Sequence, residues 1–210
     1  MTPDFKLCNS FDSLREAMQN TKQTTEMSVY EHGVDVYKHF NDLCTILNDY
    51  SQSDYWKIPE CIINNSKQIL SNLHTPEVIF QYTIWHDCGK PFVETTDSEG
   101  KIHFPNHAEA SKKLYFRLTG DGIVSDLMGW DMAIHSEPSE EIDRLLKTEW
   151  SKKDAFTLLL ATLAELHSNA NMFGGKDTTS FKTKYTKIER RAKQICKSLL
   201  DDQLMGIESF

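Results

Sequence analysis

No two cysteines in this chain are spaced CxxC, and the five present, Cys8, Cys44, Cys61, Cys88 and Cys196, are odd in number and scattered. That excludes the disulfide framework of a small secreted protein and fits reduced thiols in a reducing compartment. No apolar run approaches the length of a membrane-spanning helix, and the opening MTPDFKLCNS lacks the basic and apolar regions of a secretory signal. A cytoplasmic protein with no membrane partner is expected. Glycine and proline are sparse, nine and six in 210 residues, which is too little punctuation for an all-β chain. Basic residues are outnumbered, 23 against 31, for a net charge of -8. Such a balance argues against a broad basic surface, so a long nucleic-acid duplex is not an expected partner.

What is present reads as helix. The length suits a single domain, taken as residues 28–205 behind an N-terminal arm of residues 1–27. The arm has room for a short helix around Phe11 to Met18. Val36, Phe40, Leu43 and Leu47 fall at i, i+4, i+7 and i+11, the apolar stripe of a helix from Val29 to about Tyr50. His32 lies one turn before Val36 on that face, and His39 shares it. Pro59 suits the first turn of a helix reaching about Asn72, and Pro76 starts another that is apolar almost all round. FVETT and KIHF flank DSEG, which predicts a short β-hairpin near residues 92–104. Asn106 is placed to cap a helix begun by His107, and a helix from about Ser125 delivers His135 at its end. Ser139 to Trp150 reads as a charged, exposed helix. Asp154 to about Ala170 is dense in Leu and Ala and implies burial on most sides, so that Glu165 within it needs a partner or a metal. Thr178 to Lys187 reads as a Lys/Thr-rich connector, followed by a last helix from Ile188 to Leu200. The fold class expected is all-α with that one hairpin.

The chemistry concentrates in Gln81 to Pro91, QYTIWHDCGKP, where an apolar run ends on His86 and Asp87 and breaks at Gly89, Lys90 and Pro91. A neutral imidazole offers one lone pair to a divalent ion. The adjacent carboxylate offers two oxygens, so the pair can anchor one or two metals. Lys90 supplies a positive charge three residues on, suited to a phosphate oxygen. Alone, a His-Asp dipeptide says little. Here His32, His86 with Asp87, His107 and His135 each fall at an inferred helix end or on a buried helix face, separated by 54, 21 and 28 residues.

The ordered set EHGVDV, HDCGKP, PNHAEAS and AIHSEP resembles the HD-domain metal-dependent phosphohydrolase superfamily over about residues 29–170. It is most similar to the HD modules of tRNA nucleotidyltransferases and to related stand-alone phosphohydrolases. The resemblance implies an HD-domain helical bundle and a divalent cofactor, two ions drawn from Mn, Fe, Co, Ni, Zn or Mg. His32, His86 and Asp87 would hold the first ion, with Asp87 able to bridge to the second, and His107 and His135 would complete the second site. The family pattern closes with an Asp on a late helix, and none stands in LLLATLAELHSNANMF. Glu165 takes the most natural position, with His167 or Asn169 as alternatives. Asp87 and Lys90 are the candidate catalytic residues, and Lys90, His167 and Arg117 the candidates for substrate contact.

The activity implied is hydrolysis of a phosphomonoester or a cyclic phosphodiester, on a small nucleotide or a nucleic-acid end, by a water whose pKa a metal lowers from 15.7 to about 7. Two ions roughly 3.5 to 4 Å apart would stabilise both the attacking and the leaving oxygen. The substituted closing acid leaves a second reading, an HD-fold nucleotide-binding or sensor module with weak or no turnover.

Overall fold

A computed structural model describes residue 5 and residues 8–24, 26–51 and 53–200. The remainder of the expected arm and residues 201–205 of the expected domain lie outside the described residues. The chain is all-α with one small hairpin. In order it forms α1 (Phe11–Asn20), α2 (Val29–Asp49), α3 (Glu60–Asn64), α4 (Ser66–Ser71), α5 (Pro76–Trp85), β1 (Thr95–Thr96), β2 (Ile102–His103), α6 (His107–Thr119), α7 (Gly122–Trp130), α8 (Ala133–Ser136), α9 (Ser139–Thr148), α10 (Lys152–Ser168) and α11 (Thr179–Leu200). No helix among the described residues is long and apolar enough to cross a membrane.

The fold resolves into two compact units, Met1–Tyr37 with Thr75–Met132, and Lys38–His74 with Ala133–Phe210. Helix α2 contributes to both, and its predicted stripe of Val36, Phe40, Leu43 and Leu47 is buried throughout. In the first unit α6 packs on α7 and α7 on α5. Leu14, Met18, Tyr82, Leu114, Val124 and Leu127 are buried there. Thr75 caps α5 through its side chain and Pro76 opens it, the arrangement that a first-turn proline favours. The hairpin pairs Thr95 with His103 and Thr96 with Ile102.

In the second unit α10 is enclosed as its composition predicts, with every residue from Ala155 to Ala164 buried, and α11 packs along it. Ser151 and Asp154 form a capping box at the start of α10. Arg191 of α11 is 1% exposed. Its guanidinium reaches Oγ of Ser139 at 2.6 Å and the carbonyl of Glu137 at 2.5 Å, tying α11 to the turn before α9.

Four expectations change. The helix expected from about Ser125 to His135 is two, α7 ending at Trp130 and α8 beginning at Ala133. The helix expected from Pro59 to Asn72 is two, because Asn65 leaves helical geometry (φ -114°, ψ 18°); its side-chain amide instead donates to the carbonyl of Cys61 at 2.8 Å. The connector expected at residues 178–187 is the first half of α11, its polar sequence held by buried Phe181 and Ile188. Asn106 precedes α6 in the left-handed region (φ 55°) and makes no side-chain cap. Asn tolerates that geometry better than most residues, and the turn aims the chain into α6.

Candidate metal centre

The first unit gathers four of the predicted site residues around one carboxylate. Ser28 and Glu31 close a capping box at the start of α2: Glu31 accepts from the backbone N–H and the hydroxyl of Ser28, both at 2.8 Å. This fixes where α2 begins and places His32 one turn in, fully buried. Gly33 follows it for a steric reason. A Cβ there would lie 2.2 Å from the carbonyl oxygen of Ile84, so only glycine lets α2 approach α5 this closely.

Helix α5 ends at Trp85, and His86 continues in helical geometry as its cap. Nδ1 of His86 lies 2.8 Å from the carbonyl of Thr83. A carbonyl can only accept, so Nδ1 carries the proton and the lone pair is at Nε2. His107, the first residue of α6, repeats the device, with Nδ1 2.9 Å from the carbonyl of Phe104. Both Nε2 atoms turn to Asp87, at 3.3 Å from Oδ2 for His86 and 3.5 Å from Oδ1 for His107. His32 stands 3.9 Å from Oδ2, and the His32 and His86 rings meet edge to face at 5.4 Å. Gly89 completes the turn: its N–H donates to Oγ of Ser111 at 2.8 Å, and a Cβ would lie 2.4 Å from the Ser111 backbone nitrogen.

Asp87 is 1% exposed. Burial opposes its ionisation, but Lys90 foremost, then His86 and His107, outweigh it and hold the carboxyl well below its ordinary range. Lys90 is buried with it, Nζ 2.5 Å from Asp87 Oδ2 and 2.8 Å from Oε1 of Gln23, and 5.4 Å from the centre of the Phe104 ring.

These residues fit a divalent cation by the chemistry of the donor set. Two imidazole lone pairs are aimed by backbone carbonyls at an ionised, buried carboxylate, the orienting arrangement of metal-ligating histidines. His32 and His86 each offer a nitrogen, within 4.8 Å of one another. His32 and His86 belong to a cluster that could hold a metal ion.

His135 and Glu165 belong to the second unit, where they pair with each other, Nε2 to Oε2 at 3.2 Å. The partner that a carboxylate needs on so apolar a helix is thus an imidazole. The other residues expected at substrate are committed elsewhere. His167 is 1% exposed; Nδ1 lies 2.9 Å from the carbonyl of Leu163 and Nε2 accepts from the Lys57 N–H at 3.0 Å. Burial pushes it down to about 4, and it stacks 4.3 Å from Trp56. Both of its ring nitrogens are thus engaged by backbone groups. The Arg117 guanidinium donates to the carbonyls of Phe5 and Cys8 and covers the Phe5 ring, so it anchors the arm. His39 bonds the Tyr55 hydroxyl at 3.0 Å. A cavity of about 580 Å³ in the second unit is lined by Leu47, Tyr50, Trp56 and Tyr185 among others and includes none of the predicted site residues.

Sequence reasoning missed Gln23 and the carbonyls of Thr83 and Phe104. Backbone acceptors carry no residue signature. The glycines do, since EHG and HDCG each set one beside a ligand. Comparison with protein-family models, with curated proteins and with solved structures returned no match.

Proposed function

We propose that the chain is a metal-dependent phosphohydrolase acting on a phosphomonoester or cyclic phosphodiester of a nucleotide or nucleic-acid end. The observation that carries the reading is the orientation of His86 and His107, both fixed at Nδ1 and both presenting Nε2 to Asp87. His32, His86, Asp87 and His107 would hold the ion, and the ordered motifs that resemble the HD superfamily supply the reaction class. When bound, a divalent ion supplies Lewis-acid activation of water and neutralises charge on a phosphoryl group.

The chain's own residues do the rest. Asp87 remains ionised at neutral pH because the Lys90 ammonium foremost outweighs its burial, so it is available as a ligand without first losing a proton. Lys90 offers its ammonium at the same carboxylate, where it can swing to a non-bridging phosphate oxygen. The net charge of -8 favours a small substrate over a long duplex. His135 and Glu165, the remaining ligands that the resemblance implies, form a donor pair in their own unit.

Elemental analysis of the purified protein, then phosphate release from a nucleotide panel with Mn, Mg, Co, Ni and Zn added back, tests this. Bound transition metal and turnover, both lost in Asp87→Ala with helix content retained, is the expected result. Turnover that survives Asp87→Ala would overturn the assignment, and metal without turnover would favour a nucleotide-binding module.

A further inference from the structure

Two of the five thiols meet. Cys61 of α3 and Cys196 of α11 lie 135 residues apart in sequence, and Sγ of Cys196 is 3.9 Å from the carbonyl oxygen of Cys61. The two helices pack together within the second unit. Cys61 is half-buried and Cys196 is 5% exposed. We propose that Cys61 and Cys196 form a thiol–disulfide exchange pair that reacts with a low-molecular-weight disulfide of the glutathione class, with Cys61 as the attacking sulfur and Cys196 as the resolving one.

The remaining thiols set the contrast. Burial pushes Cys44 up to about 12, and raises Cys8 and Cys88 as well. Cys61 moves the other way. A hydrogen bond from the Cys196 thiol is the largest cause; it outweighs burial, and the N–H groups of Cys61 and Ile62 and the charge of Lys193 add to it. The thiolate is the nucleophile in exchange, and the most reactive thiol is one that ionises near ambient pH and can be reached by solvent. Cys61 meets both conditions, and Cys196, sheltered behind it, meets the requirement for a second sulfur.

The chemistry balances in two steps. The Cys61 thiolate attacks one sulfur of the reagent disulfide, forming a mixed disulfide as the reagent's S–S bond breaks and one thiolate leaves. Cys196 then gives its proton to solvent and attacks the Cys61 sulfur, forming the Cys61–Cys196 bond and expelling the second reagent thiolate. Two protein thiols are oxidised, one reagent disulfide is reduced to two thiols, and α3 becomes covalently tied to α11. The closing step requires α3 and α11 to present the two Cβ atoms about 3.5–4.5 Å apart, the separation a disulfide demands.

The test uses the full chain, reduced and then placed in oxidised glutathione at neutral pH, with alkylation, intact mass and peptide mapping as readouts. The wild type should lose two hydrogens and yield a Cys61–Cys196 linked peptide. Cys196→Ser should instead accumulate a single glutathione adduct on Cys61, and Cys61→Ser should react at least about tenfold more slowly than wild type, since burial holds the Cys8, Cys44 and Cys88 thiols above their ordinary range. Cys196→Ala, which also removes the hydrogen bond to Cys61, should form the same single adduct on Cys61 more slowly than Cys196→Ser does. A glutathione adduct that persists on Cys61 in the wild type, a disulfide through any other cysteine, or a Cys61→Ser protein oxidised as fast as wild type would each overturn the proposal.

Discussion

Lys90 holds its ammonium 2.5 Å from Oδ2 of Asp87, the same oxygen that lies 3.3 Å from Nε2 of His86. The chain's own cation therefore engages the carboxylate that a metal would need, and the two compete for it. Lys90→Met removes the competitor and leaves Asp87 a buried anion short of its strongest partner. Without metal the variant should lose about 3 kcal/mol of stability, the scale for breaking a buried pair. Added Mn or Zn should raise its melting temperature more than that of wild type, while phosphate release falls by about 10²-fold for loss of an electrostatic contact. Equal metal stabilisation of variant and wild type would remove Lys90 from the site's electrostatics.

Gly33 and Gly129 both lie within helices, but only one faces a backbone. A Cβ on Gly33 would meet the Ile84 carbonyl oxygen at 2.2 Å, whereas one on Gly129 would meet Cδ of Lys112 at 2.7 Å, on a flexible side chain that can move. Gly33→Ala should cost about 3 kcal/mol or more, because α2 and α5 must separate, and should weaken metal retention by displacing His32. Gly129→Ala should be neutral or stabilising by up to about 1 kcal/mol, since alanine is the better helix former. Urea denaturation of the two variants decides the matter. Similar midpoints would mean that close helix approach is not what glycine provides at position 33.

Legibility from sequence followed what the chain encodes in residue type. The stripe of α2 and the enclosure of α10 were readable from apolar spacing alone, and the hairpin from DSEG between two short β-prone runs. The start of α11 was not, because TSFKTKYTK is dominated by Lys and Thr, although Phe181, Ile188 and Ile195 continue one buried face. Nor was the break at Asn65, which depends on a side-chain amide bonding the carbonyl four residues back. At the site, residue identity was legible and orientation was not. His86 and His167 look alike as histidines on apolar helices. Yet His86 has its Nδ1 on a carbonyl and Nε2 toward Asp87, while His167 spends both nitrogens on backbone.

That difference for His167 can be measured. His167→Phe keeps an aromatic ring beside Trp56 but loses the acceptor for the Lys57 N–H and the donor to the Leu163 carbonyl. A packing residue should then cost about 2–3 kcal/mol of stability, the scale for leaving buried backbone groups unpaired. The Michaelis constant for any accepted nucleotide should stay within about twofold of wild type, well under the tenfold that 1.4 kcal/mol of lost binding would produce. A large rise in that constant with stability unchanged would restore His167 to the substrate site.

Asp154 sets a pH dependence within the second unit. Its Oδ1 is 2.7 Å from Nε2 of His74, and its Oδ2 accepts from the N–H and hydroxyl of Ser151. Burial would raise its pKa, but the bonds from His74 and Ser151 prevail and the carboxyl lies below its ordinary value. A carboxylate depressed in the folded state binds fewer protons there than in the unfolded chain, so its contribution is complete above the unfolded pKa of about 3.9. The contribution is lost as pH falls from there through the folded value. Because Asp154 is only partly shielded from solvent, about 1 kcal/mol is at stake. Urea midpoints of wild type and Asp154→Asn, compared between pH 6 and pH 3, should therefore converge as the pH drops. A difference that stays constant across the range would show that the wild-type carboxylate contributes through its shape and hydrogen bonds rather than through its charge.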